Sequence, residues 1–235
     1  MRFGTGALTL GILIGVLAAC SSAPDTPLAA AGRTDQVLAL LAQGHNPNEK
    51  ERHGWTPIMR AARYGRIDTI RVLLEKGADP NLNDTGINGW TPLMHAIHTR
   101  QYQAVRVLLD AAADVNRKTK GGVTALMMAV LDGNPGLVRD LLAKGADPYT
   151  EASDGVTAFT VAVSGGAFMD IDKPLIGGCQ TEIAKILLEG APDLALKKNR
   201  AGRTARWFAK LKGCSEVMAL IEKQDRPEAS VATKP

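Results

Sequence analysis

Short apolar stretches alternate with turn-forming residues along most of the chain. Within residues 67–74 four apolar positions follow the spacing of one helix face; they are Ile67, Ile70, Leu73 and Leu74. A Thr-Pro pair at 56–57 offers a capping residue and a proline suited to a first helical turn, and Gly65 can end that helix. Gly-Ala-Asp-Pro-Asn at 77–81 then supplies turn residues. The pattern predicts two short helices joined by a turn.

This unit recurs along the chain. Its first phrase, Thr-Pro-Ile-Met or a variant, begins at Thr56, Thr91, Thr124, Thr157 and Thr204, with spacings of 35, 33, 33 and 47. A second phrase, apolar residues followed by a turn, occupies 72–81, 107–116 and 141–149. Neither helix of such a unit can bury its apolar stripe alone, so each pair has to stack on its neighbours.

The period and both phrases resemble the ankyrin repeat over roughly residues 32–223. The resemblance implies an all-α solenoid of helix-turn-helix units with hairpin fingers, containing about five full repeats and a truncated N-terminal one at 32–48. We place the ankyrin-repeat domain at 28–223. The sequence departs from the family where a histidine usually follows Thr-Pro-Leu, because this chain has Met59, Met94, Met127, Thr160 or Trp207 there.

The fourth full copy is longer than the others. Thr157 to Glu182 spans 25 positions, against 12 from Thr204 to Glu216, so thirteen residues are inserted, within about 164–179. Loops of this length usually have a role or are disordered. Asp170 and Asp172 offer two carboxylates for calcium, but the rest of a cage is missing, and a plain surface excursion is the simpler interpretation.

The first twenty residues have the features of a targeting sequence. One arginine precedes an apolar run over 7–19 that is short for a membrane span and typical of a signal peptide. The run ends in Leu-Ala-Ala-Cys at 17–20, which resembles the lipobox of bacterial lipoproteins; an ordinary secretory signal is the alternative. We expect a signal peptide at 1–19, a lipidated Cys20 and linker at 20–27, and a disordered tail at 224–235. The resemblance implies an outer-membrane lipoprotein facing the periplasm.

Composition narrows the functional classes. Aromatic residues are 4% and the net charge is +4, which disfavours a nucleic-acid binder. No phosphate-binding glycine loop, nucleophile elbow or zinc-protease motif occurs, so we expect neither enzyme activity nor a cofactor. His95 and His98 have a spacing that can hold a metal, but inter-repeat hydrogen bonding explains them better.

Cys179 and Cys214 remain once Cys20 is set aside, an even number in an oxidising compartment. They precede the second helices of adjacent copies. A disulfide between them would clamp the insertion to the last repeat; two buried thiols are the alternative. Mass spectrometry with and without reductant distinguishes the two.

The ankyrin resemblance also implies where a protein partner binds, on the fingers and at the ends of the first helices. Carried onto this chain, the candidate partner-binding residues are Arg52, His53, Trp55, Arg63, Tyr64, Ile87, Asn88, Trp90, His98, Lys120, Asp132, Arg200 and Arg203. Trp55 and Trp90 occupy equivalent positions and suit a binding hot spot, or they pack against neighbouring fingers.

The sequence thus predicts a non-enzymatic, monomeric lipoprotein that binds one periplasmic or envelope protein. Some membrane-anchored bacterial ankyrin proteins are similar to immunity factors that inhibit toxins or lipases of the envelope, and others assist envelope stress enzymes. Binding of lipid or lipopolysaccharide through the basic stretch 194–215 is a further alternative. An enzyme with its site in the inserted loop is the least favoured hypothesis.

Overall fold

A computed structural model describes residues 26–30, 33–51, 53–86, 88–153, 155–164, 179–200 and 202–224. Within these ranges the chain is helical, and its only β-type pairing is a single bridge between Lys198 and Thr204. The helices are α1 (Pro27–Ala30), α2 (Thr34–Ala42), α3 (Pro57–Arg63), α4 (Ile67–Glu75), α5 (Pro92–His98), α6 (Tyr102–Asp110), α7 (Ala125–Asp132), α8 (Pro135–Ala143), α9 (Ala158–Ser164), α10 (Thr181–Gly190), α11 (Ala205–Lys212) and α12 (Ser215–Gln224), with a 3-10 turn at Pro192–Ala195.

The helices form consecutive antiparallel pairs that stack in chain order. First helices pack on first helices, from α3 through α5, α7 and α9 to α11, and second helices form a neighbouring layer. These pairs confirm the all-α repeat solenoid with a truncated N-terminal unit. That unit contains α1, a four-residue helix beginning at Pro27, which the sequence pattern did not predict.

Several predicted features lie outside the described residues. They are the signal peptide, Cys20, positions 165–178 of the insertion, and the tail after Gln224, which itself ends α12. The insertion leaves the described chain at Ser164, the last residue of α9, and returns at Cys179, just before α10.

Capping threonines start the first helices as the sequence pattern predicts. The side-chain oxygen of Thr91 accepts a hydrogen bond from the amide of Met94 at 3.3 Å, and Thr124 and Thr204 do the same for the third residue of their helices. Each bond supplies an acceptor for an amide of the first helical turn, which has none within the helix. The amide of Trp207 also donates to the carbonyl of Thr204 at 3.0 Å. The capping marks where these fingers end and their helices begin.

A ladder of asparagines joins the loops that follow the second helices. Asn48 accepts from the amide of Asp79 at 2.7 Å and donates to the carbonyl of Gly77 at 3.0 Å. Asn81 and Asn116 accept in the same way from the next repeat. The ladder ends at Tyr149, whose hydroxyl donates to Asp193 at 3.3 Å.

The hairpin fingers are joined by backbone hydrogen bonds. The amide of Thr85 donates to the carbonyl of His53 at 2.9 Å, that of Lys120 to Asn88 at 3.0 Å, and that of Ser153 to Gly121 at 2.8 Å. Repeats are therefore held together by helix packing, by the asparagine ladder and by a line of finger contacts.

Cys179 and Cys214 form a disulfide in the structure, with their Cα atoms 5.9 Å apart. Cys214 is buried where the last pair of helices turns, and Cys179 lies where the insertion rejoins α10. The bond fastens one end of the insertion to the last repeat.

Ala112 is strained at a position where other repeats have glycine. Its φ is +55°, and the equivalent Gly77 and Gly145 have φ of +84° and +86°. A left-handed conformation costs a non-glycine residue roughly 1–2 kcal/mol. A glycine avoids this cost but gives the unfolded chain more conformational entropy, which lowers stability by a somewhat smaller amount. We expect Ala112→Gly to raise the free energy of unfolding by about 0.5–1 kcal/mol in urea titrations. An unchanged or lower value would contradict the assignment of strain.

Candidate protein-binding face

Two tryptophans and two histidines form one aromatic cluster on the first two full repeats. Trp55 and Trp90 each stand directly before a capping threonine and are half-buried. The ring centroid of buried His95 lies 4.4 Å from that of Trp55 and 5.3 Å from that of Trp90, and Trp90 is 4.6 Å from His98. The indoles are thus held by the first helix of the second repeat.

Arginines surround this cluster. The guanidinium carbons of Arg60 and Arg63 lie 5.4 and 5.6 Å from the ring centroid of Trp55, within cation–π range. Arg66 lies 5.4 Å from the ring of Tyr64, which is 56% exposed. We call Trp55, Arg63, Tyr64, Trp90 and His98 the finger face.

The acids beneath this face are buried and paired. Glu51, at the base of the first finger, forms an ion pair with Arg60 of α3. Asp84, at the same place in the second finger, lies 3.0 Å from Nε2 of His95. The equivalent pairs of later repeats are uncharged: Thr119 with Met128, and Ala152 with Val161. Because the two carboxylates are covered, the exposed part of the finger face is cationic and aromatic.

Burial controls the ionisation of His95. Desolvation lowers the pKa of His95 below its usual value and outweighs the hydrogen bond and negative charge of Asp84, while Arg63 adds to the lowering. Nδ1 of His95 has no hydrogen-bond partner among the described residues. A proton there would be a buried donor without an acceptor, so the neutral ring is favoured.

This ionisation makes stability depend on pH. The unfolded chain takes up a proton on His95 near pH 6.5, but the folded chain resists it, so stability should fall as pH drops below 6.5, by at most about 1.4 kcal/mol per pH unit. Urea unfolding between pH 8 and pH 5 measures this. In His95→Gln, which keeps a hydrogen bond to Asp84 possible, the curve should be flatter; identical slopes would contradict the assignment.

The structure brings together only part of the predicted set. Trp55, Arg63, Tyr64, Trp90 and His98 converge, and His53 is exposed on the same finger row. Asn88 joins the neighbouring finger through its backbone carbonyl only and is exposed. The ammonium of Lys120 is engaged between fingers, where it donates to the carbonyl of Gly86 at 2.7 Å. Arg200 and Arg203 lie on the last finger. Arg52 and Ile87 are outside the described residues.

Asp132 is not an exposed partner contact. Its side chain is 1% exposed and accepts from Nε of Arg100 and from the hydroxyl of Tyr102, both at 2.6 Å. It therefore joins the second repeat to the third. The ankyrin resemblance implied an open surface at the end of the first helix and gave no sign of partners from the preceding repeat.

Four contributors to the site were missed: Glu51, Arg60, Asp84 and His95 were not predicted as paired. Aligning the finger base with the fourth residue after each capping threonine would have revealed them, because both positions hold ionisable residues only in the first two full repeats.

Within the described ranges, every helix is too short or too polar to span a bilayer. No group of three or more histidine, cysteine or acidic side chains there is placed to hold a metal ion.

Stacked helix pairs joined by a row of hairpin fingers define a helical repeat scaffold. The profile of the family described as ankyrin repeats (3 copies) matches residues 12–84, 27–119 and 77–152. The chain belongs to the ankyrin-repeat family. Ankyrin repeats typically serve as non-enzymatic scaffolds that bind other proteins.

Individual relatives match parts of the chain. An ankyrin repeat-containing protein of Schizosaccharomyces pombe is 40% identical over 65 residues, 27% of this chain and 31% of that protein. The mitochondrial disaggregase of Homo sapiens is 38% identical over 88 residues, 35% of this chain and 12% of that protein. The chain thus spans under a third of these relatives' length. The crystal structure of an ankyrin repeat domain from Acinetobacter baumannii AYE has a TM-score of 0.70 at 24% identity, covering 82% of this chain and 92% of that one, and shares the fold.

Proposed function

We propose that this chain is a non-catalytic lipoprotein that binds one envelope protein through the finger face. The observation that carries the proposal is the Trp55–His95–Trp90–His98 cluster, where the two indoles are held in place by ring contacts and remain partly exposed. Tryptophan, tyrosine and arginine dominate the energetics of protein interfaces, especially where neighbouring contacts hold them rigid.

The charge of the finger face favours an acidic partner surface. Glu51 and Asp84 are covered and paired, so the groups that meet a partner are Arg63, Tyr64 and His98 beside the two indoles. A partner surface with carboxylates around an apolar residue complements this arrangement.

The N-terminal sequence supports a location for this binding at the periplasmic side of the outer membrane. Acylation at Cys20 would moor the repeats to the outer membrane, with the finger face in the periplasm, and would raise their effective concentration for a partner acting at that membrane. Occlusion of an envelope-attacking toxin or lipase is the role that suits such a tethered scaffold, as an immunity or inhibitor protein.

Site-specific crosslinking in intact cells tests the binding face. A photo-crosslinking residue in place of Tyr64 should give one stoichiometric protein adduct, and the same residue at exposed Gln103 on α6 should not. Titration of the identified partner should then show that Trp55→Ala with Trp90→Ala weakens binding by about 2 kcal/mol or more. Equal crosslinking from both positions, or unchanged affinity, would reject the finger face.

Fractionation tests the anchor separately. Cys20→Ser should move the protein from the membrane fraction to the soluble fraction. Unchanged membrane association of that variant would reject acylation at Cys20 without affecting the evidence for the finger face.

A further inference from the structure

Helix α11 is the first helix of the last repeat. Its outer side differs from that of the first helix in each earlier full repeat. The second, third and sixth residues after each capping threonine are buried in α3, α5, α7 and α9, where the next repeat covers them. In α11 these positions hold Arg206, Trp207 and Lys210. Trp207 is 41% exposed, whereas Met94 at the same position is 1% exposed. A terminal repeat needs a polar outer side; Arg206 and Lys210 follow that rule and Trp207 does not.

Trp207 and Leu211, one helical turn apart on α11, form an exposed apolar ridge. Leu211 is 67% exposed. The guanidinium of Arg203 stacks 4.4 Å from the ring centroid of Trp207, and buried Phe208 meets the same ring edge-on at 5.0 Å. We call Arg203, Trp207, Lys210 and Leu211 the terminal face.

The surroundings of the terminal face are strongly basic. Residues 194–215 contain seven lysines and arginines and no acid. Lys197 pairs with Glu151 at 3.0 Å, and Lys212 donates to the carbonyl of Ser164. Within the described part of the chain, no ion pair engages Lys198, Arg200, Arg203 or Lys210.

We propose that the terminal face is a second docking surface, for an acidic protein segment that places an apolar side chain against Trp207 and Leu211. Its carboxylates would meet the unpaired cations around the ridge, and its apolar side chain would cover surface that the next repeat would cover in a longer array. The terminal face lies four helix pairs beyond the first finger, so this contact is independent of the finger face.

Charge and area disfavour the other occupants. A second copy docking symmetrically would bring two basic surfaces together. Membrane binding through an amphipathic surface scales with buried apolar area, and one tryptophan with one leucine offers little. The residues after Gln224 contain two acids and two bases, so this tail has no net negative charge to match the basic surface.

Trp207 itself can report the binding. The chain has three tryptophans, so Trp55→Phe with Trp90→Phe leaves Trp207 as the sole indole and also disables the finger face. Titrating this variant with a short peptide of glutamates flanking two leucines should shift the emission to the blue and saturate. Leu211→Ala, or about 0.5 M salt, should weaken binding about tenfold. Leu38→Ala, which alters an exposed leucine of α2, should leave binding unchanged.

Other results would overturn the proposal. They are no shift with the acidic peptide, an equal shift with a peptide in which glutamine replaces glutamate, and a shift produced instead by phosphatidylglycerol vesicles. Trp207 emission that is already blue and turns red when 165–178 or 225–235 is deleted would show that the chain covers its own terminal face. Fluorine NMR of the full natural sequence labelled with fluorotryptophan, with Trp207→Phe assigning the resonance, repeats the test without altering the finger face.

Discussion

Replacing Arg60 with methionine should lower the free energy of unfolding by about 3–5 kcal/mol. The side chains of Arg60 and Glu51 are 10% and 5% exposed and form an ion pair between the first finger and α3. Removing the arginine leaves a buried carboxylate without its cation, and an uncompensated buried charge costs this much. Urea unfolding at neutral pH measures the change.

The chain itself offers the matched control. The third repeat has Thr119 and Met128 where the first has Glu51 and Arg60, so the double variant Glu51→Thr with Arg60→Met copies an arrangement that this fold already tolerates. A buried ion pair can often be replaced by uncharged residues at little cost. We expect the double variant to lie within about 1 kcal/mol of the natural sequence. A double variant as unstable as Arg60→Met would contradict the interpretation that the loss in Arg60→Met comes from the uncompensated carboxylate of Glu51.

Gly155→Ala should destabilise the protein by about 3 kcal/mol, through two separate effects. Its φ is +77°, which costs a residue with a side chain roughly 1–2 kcal/mol. A methyl group there would also meet the backbone of the last finger, 2.8 Å from the amide nitrogen of Arg200 and 3.1 Å from Cα of Asn199. Because backbone cannot rotate away, the fingers would have to separate.

Gly202→Ala separates these two effects. Gly202 occupies the same turn in the last finger with φ of +71°, and a methyl group there would meet nothing within 4 Å in the described structure. We expect only the conformational cost, about 1 kcal/mol. Thermal or urea unfolding measures the loss of stability in each variant. The loss in Gly155→Ala minus the loss in Gly202→Ala is the free-energy cost of pushing the two fingers apart. Equal losses for the two variants would mean that the contact between fingers is soft.

The repeat pattern predicted much of the fold because each element depends on nearby residues. Thr-Pro pairs fixed the starts of α3 and α5, and the Gly-Ala-Asp phrases fixed the turns after the second helices. Register between units followed from the period. The repeat pattern did not predict helix α1, because Pro27–Ala30 is a single turn and does not contain either of the two repeated phrases.

The site was predicted less completely because its chemistry depends on contacts between units. Trp55 and Trp90 were predicted from their position, but their support by His95 requires the stacking geometry. Asp132 was misplaced for the same reason: Arg100 and Tyr102, which cover it, belong to the preceding unit. Trp207 was noted only as a departure from a histidine, and its exposure became visible once the stack ended.

The bond between Cys179 and Cys214 makes the two ends of the row of repeats unequal. In a linear array the outermost units open most readily, since each has one neighbour. The covalent link ties the carboxyl-terminal pair to the one before it, whereas the amino-terminal pair depends on the single turn of α1 and on α2. We therefore expect melting of the described repeats to begin at the amino-terminal end and to reach the finger face before the terminal face.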